Sequence, residues 1–109
     1  MLLLNEIPKS SSIYYNDAFH QMLVKHFPHA IENELFTVQD VSGVTAEIYR
    51  GDFHGLLQSL RISFDYHRVN TEFNGLISPL DYLGEAGPVR ILNAEFLERV
   101  AKIYRINVK

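Results

Sequence analysis

The sequence predicts a small α+β domain, and three observations carry that prediction. Apolar residues recur at helical spacing near each end, two short runs rich in β-branched and aromatic residues flank a turn, and 109 residues give room for one core. The expectation is a single domain over 1–109, with residues 1–12 as an N-terminal arm.

Met1-Leu2-Leu3-Leu4-Asn5-Glu6 has no positive leader and its apolar run stops early, so no signal peptide is expected. No run approaches the ~20 apolar residues of a membrane span. Pro8 and Ser10-Ser11-Ser12 read as loop. Asn16 is a good cap for a first helix, with Asp17 favourable in its first turn. Tyr15, Phe19, Met22, Leu23 and Phe27 then share one helical face, and Pro28 is expected to stop the helix.

Leu35-Phe36-Thr37-Val38 and Val44-Thr45-Ala46-Glu47-Ile48-Tyr49 read as strands, with turn chemistry at Asp40-Val41-Ser42-Gly43 between them. A β-hairpin is expected there. Gly51-Asp52 ends the second strand and caps a short helix with the stripe Phe53, Leu56, Leu57 and Leu60. Ile62-Ser63-Phe64-Asp65-Tyr66 fits either a strand or the start of another helix. Asn74-Gly75 marks a tight turn. Pro79, Gly84, Gly87 and Pro88 punctuate a loop-rich stretch before a short strand, Val89-Arg90-Ile91-Leu92. Asn93 is expected to cap a closing helix whose inner face is Phe96, Leu97, Val100, Ala101 and Tyr104. On its outer face Glu95 pairs with Arg99 and Glu98 with Lys102 at i,i+4, worth only ~0.3 kcal/mol each.

Ten basic and 13 acidic side chains give a net charge of −3, and there is no cysteine. A disulfide scaffold, a thiolate zinc site and a cysteine nucleophile are therefore excluded. Net negative charge argues against nucleic acid as a partner. His20, His26 and His29 are close in sequence, but His20 and His26 point to different helix faces, so no metal site and no cofactor are expected. His26 has a simpler use at a helix C-terminus. Asp52 and His54 resemble part of a catalytic pair, yet Asp52 is better explained as a helix cap. No Gly-x-Ser-x-Gly elbow and no glycine-rich phosphate loop is present. Asp65, Glu72 and Asp81 show no spacing that singles out two carboxylates. The chain is not expected to be an enzyme.

Binding features remain. Leu2, Leu3 and Leu4 at one end, and Ile106 and Val108 at the other, either pair as edge strands of the chain's own fold or dock onto partner chains by strand addition. Tyr66, Phe73 and Tyr82, with Arg61 and Arg68 nearby, have the composition of interface hot spots. These eight apolar and aromatic residues are the candidate partner-binding set. Residues 89–109 are basic on an otherwise acidic chain, which either neutralises within the fold or steers a partner.

The run Ile48-Tyr49-Arg50-Gly51-Asp52-Phe53-His54-Gly55-Leu56-Leu57 resembles the opening of a LysM module, and the resemblance extends over 48–92. It implies a strand, one or two helices and a closing strand at Val89–Leu92, with Asn70 or Asn74 near the end of a second helix. Phe53 stands where that family has Ser or Thr, so no glycan-binding residue is carried over. LysM-like modules also serve as protein connectors in contractile-phage tails and baseplates. That resemblance implies a non-catalytic structural adaptor that contacts other protein subunits, in a virion or the host cytoplasm, with homo-oligomers possible. The alternative expectation is a small acidic inhibitor, an immunity protein or phage-encoded antagonist, drawn electrostatically to a basic target.

Overall fold

The computed structural model describes residues 13–107. In chain order these form α1 (Asp17–Lys25), α2 (Phe27–Glu32), β1 (Phe36–Val41), α3 (Gly43–Ile48), α4 (Phe53–Ser59), α5 (His67–Phe73), β2 (Gly87–Leu92) and α6 (Ala94–Asn107). Single 3-10 turns lie at Ile13–Tyr15, Phe64–Tyr66 and Pro79–Asp81. The α+β class follows the sequence. Leu2, Leu3, Leu4 and Val108, with the rest of the expected arm, lie outside the described residues.

Local chemistry sets several helix starts. The Asn16 side chain accepts from the Phe19 N–H at 3.0 Å, and Asp52 accepts from the Gly55 N–H at 2.9 Å. Helix α1 ends at His26, whose Nδ1–H donates to the Met22 carbonyl at 2.8 Å. Pro28 does not end that helix. It occupies the first turn of α2, where a missing N–H leaves no bond unmade.

The expected hairpin is not formed. Residues 44–48 are helical, within α3, and the strand before them runs on through Asp40 and Val41. Ser42 is a helix cap rather than a turn residue: its Oγ accepts from the Thr45 N–H at 3.2 Å. Helix α3 buries Ala46 and leaves Val44 and Ile48 exposed, so packing overrides the strand propensity of its β-branched residues. The partner of β1 is β2, paired antiparallel from Phe36↔Leu92 to Val41↔Gly87. Three helices separate the two strands. Over 48–92 the expected opening strand is thus replaced by the end of α3, while a strand does form at Gly87–Leu92.

Two apolar clusters meet at β2. Leu92 joins Phe19, Leu23, Val69, Phe96 and Leu97. Val89 and Ile91 join Val41, Ala46, Phe53, Leu56 and Leu57. Helix α5 lines the far side of β2. The Asn70 side chain, fully buried, accepts from the Leu92 N–H at 2.8 Å and donates to the Tyr66 carbonyl at 3.0 Å. Asn74 donates to the Arg90 carbonyl at 2.8 Å and accepts from the Arg90 N–H at 2.9 Å. Asn70 and Asn74 therefore both bond β2.

Candidate functional site

The bonds to Asn70 and Asn74 fix which way the ladder faces. In an antiparallel pair the N–H and C=O of one residue point to the same side, and alternate residues point to opposite sides. Arg90 and Leu92 turn theirs toward α5. Their partners Val38 and Phe36, and by alternation Asp40, turn theirs away from β2. The Asn93 N–H to Leu35 carbonyl bond, at 3.0 Å, extends the same parity. Among the described residues nothing hydrogen-bonds the backbone of Phe36, Val38 or Asp40. One edge of the two-stranded sheet is closed by asparagine amides, and among the described residues nothing pairs with the other.

The open edge carries apolar surface. Val38 is 56% exposed, and Phe36 is half-buried with the Arg90 guanidinium 5.4 Å from its ring centre. Strand edges in folded proteins are usually guarded by lysine, proline or a bulge. Residues 36–41 contain neither residue, and their register with β2 is unbroken.

The residues singled out from sequence are scattered. Phe73 is a core residue, packed edge-on to Phe27 and against Phe36, and so is not a surface contact. Tyr66 is half-buried, and its hydroxyl donates to Glu98 Oε2 at 2.8 Å. Glu98 therefore accepts from Tyr66 and the buried Tyr14 and does not pair with Lys102. Neither i,i+4 pair expected on α6 is among the ion pairs of the described residues. Tyr82 is half-buried over Phe53, in a cleft of about 240 Å³, with its hydroxyl buried and unpartnered. Ile106 is exposed on α6, in a helix rather than a strand.

The titratable side chains gather elsewhere. His54 on α4 and His67 on α5 bring their Nδ1 atoms to 3.0 Å, beside a cleft of about 470 Å³ that Arg61, Ser63 and Phe64 also line. His20 places Nε2 2.7 Å from Glu72 Oε1, and its Nδ1 is buried without a partner among the described residues. Arg68 reaches Asp17 at 2.8 Å. Asp81 is used locally, in a capping box with Ser78. Among the described residues no three His, Cys, Asp or Glu side chains gather as a metal centre requires. Among the described residues no nucleophile hydrogen-bonds the rings of these histidines.

Sequence reasoning missed the His54–His67 pair because it joins two helices 13 positions apart, and only the fold brings the rings together. It also missed the open edge, since the partner of β1 was misplaced. The signal available was the lack of lysine and proline across 36–41.

No family model, curated protein or solved structure matches this chain.

Proposed function

We propose that the chain is a non-catalytic adaptor subunit of a larger protein assembly, of the phage tail or baseplate kind, and that it holds a neighbour by strand addition. The open β1 edge carries this reading. Three residues present outward N–H and C=O groups, and an added strand would bond all of them while covering Val38 and Phe36. The contrast with β2 supports it, since the fold closes that edge with two asparagines, while among the described residues nothing pairs with the β1 edge and Asp40 is its one charged side chain. No helix of the described residues is long and apolar enough to cross a membrane.

The test is solution mass by light scattering after size exclusion, across concentrations, for the chain and for Val38→Pro. Open edges pair with one another, so the mass of the unaltered chain is expected to rise with concentration. Val38→Pro removes an outward N–H and should keep the chain monomeric. A monomer at every concentration would sink the reading. Association that weakens steeply with salt would favour the electrostatic inhibitor instead.

A further inference from the structure

We propose that His54 and His67 form a proton-operated latch, which clasps α4 to α5 through a single shared proton and opens when both rings are protonated.

The geometry fixes where each proton sits. His67 Nε2 lies 2.9 Å from the Ile62 carbonyl, an acceptor, so Nε2 carries a proton. Neutral His67 then offers a lone pair at Nδ1, 3.0 Å from His54 Nδ1. His54 must supply the proton of that bond. His54 Nε2 is left as the site for the next proton, which can be taken up with the Nδ1 bond intact. A second added proton can go only to His67 Nδ1. Two N–H groups would then face one another at 3.0 Å, with a positive charge on each ring, and the clasp cannot hold.

Neighbouring groups make the opening consequential. Phe64 packs on both rings, at 5.9 Å from His54 and 5.3 Å from His67, and stacks on Tyr15 at 5.2 Å. Parting the histidines therefore removes one side of the Phe64 packing and widens the adjoining cleft, while the Tyr15 hydroxyl, donating to the Phe64 carbonyl at 2.8 Å, carries the shift to Tyr15. Asp52, at the start of α4, favours a proton on His54. Arg61 borders the same cleft. On the other side of His54 stand His20, Arg68 and Glu72, where Glu72 is held by His20 and Arg68 by Asp17. Burial pushes both imidazoles below their ordinary range; for His67 the bond to the Ile62 carbonyl opposes that shift in part, and the charge on His54 adds to it. Both folded values being lowered, the unfolded chain binds more protons, so stability falls as pH drops below the ordinary imidazole range.

The experiment is a proton NMR titration of the histidine and Phe64 ring signals in the full chain and in His54→Gln, between about pH 7 and about pH 4. The expected result is two coupled steps, His54 before His67, with the Phe64 and Tyr15 signals moving on the second. Glutamine keeps an N–H donor for His67 but carries no charge, so His67 should titrate in one step at higher pH. His54 is half-buried, and circular dichroism checks that the variant folds. If it does not fold, the unaltered chain decides alone. A single uncoupled His67 step, or Phe64 and Tyr15 signals that stay still through it, would overturn the latch.

Discussion

Tyr14 donates its hydroxyl to Glu98 Oε2 at 2.6 Å, across 84 positions of chain. Tyr66 donates to the same oxygen, and the rings of Tyr14 and Tyr66 meet edge-on at 5.2 Å. One carboxylate on α6 thus ties the turn before α1 to the turn before α5. These two hydroxyls, Tyr14's first, hold the Glu98 carboxyl below the usual carboxylate range. Burial and the bond to Glu98 push Tyr66 up to about 12. A depressed folded value means that the carboxylate stabilises the fold above its unfolded value. That contribution is lost as pH falls through the folded value. Urea unfolding of Glu98→Gln should therefore depend less on pH below about pH 5 than that of the unaltered chain. The effect is modest because Glu98 is solvent-exposed. Equal acid dependence in both chains would show that the tyrosines do not bias the carboxylate.

Asn70 is the sharper stability test. Its side chain bonds the Leu92 N–H on one side and the Tyr66 carbonyl on the other, with no solvent to replace it. Asn70→Ala leaves a buried N–H on β2 unpaired and should cost about 2 kcal/mol or more. Asn74→Ala acts at a more exposed site and should cost about 1 kcal/mol. Urea midpoints at neutral pH rank the two, and an Asn70→Ala midpoint equal to that of the unaltered chain would remove the asparagines from the account of β2.

How much of this was legible follows from what is local. Asn16 and Asp52 announce helices by their own side chains, and the stripes after them predict the buried faces of α1 and α4. The closing helix is right by its stripe, down to Phe96 and Leu97. Residues 44–48 are misread because β-branched propensity is a local count, whereas the partner of β1 is supplied 50 positions downstream by Val89 at Gln39 and nearby pairs. The Ser42 cap was visible but fits a turn as well as a helix start. Of the binding residues, Phe73 looked like an interface aromatic and is core, since composition cannot say which side of a helix faces inward when neighbouring elements are misplaced.

The parity of β1 can be tested by proline at successive positions. The Val38 N–H points away from β2, so Val38→Pro removes no ladder bond. Gln39 is paired with Val89, whose groups face β1, so Gln39→Pro removes one. Gln39→Pro should destabilise the chain by about 2 kcal/mol more than Val38→Pro. Thermal unfolding distinguishes them. Equal losses would mean that the edge of β1 is not oriented as described.

Tyr82 carries a group that the fold does not use. Its ring packs on Phe53 at 5.3 Å, yet its hydroxyl is buried and lacks a partner among the described residues. Burial, and then the nearby Glu85 charge, push the phenol up. A buried hydroxyl without a hydrogen bond costs about 1–3 kcal/mol relative to water. Tyr82→Phe keeps the ring and removes that group. It should be neutral or stabilising by up to about 1 kcal/mol, whereas Tyr82→Ala should destabilise by about 2–3 kcal/mol through lost packing on a half-buried site. Urea unfolding of both variants reads the difference. A loss of stability in Tyr82→Phe would show that the hydroxyl is hydrogen-bonded in solution, with water entering the cleft beside Leu76 and Val89 as its partner.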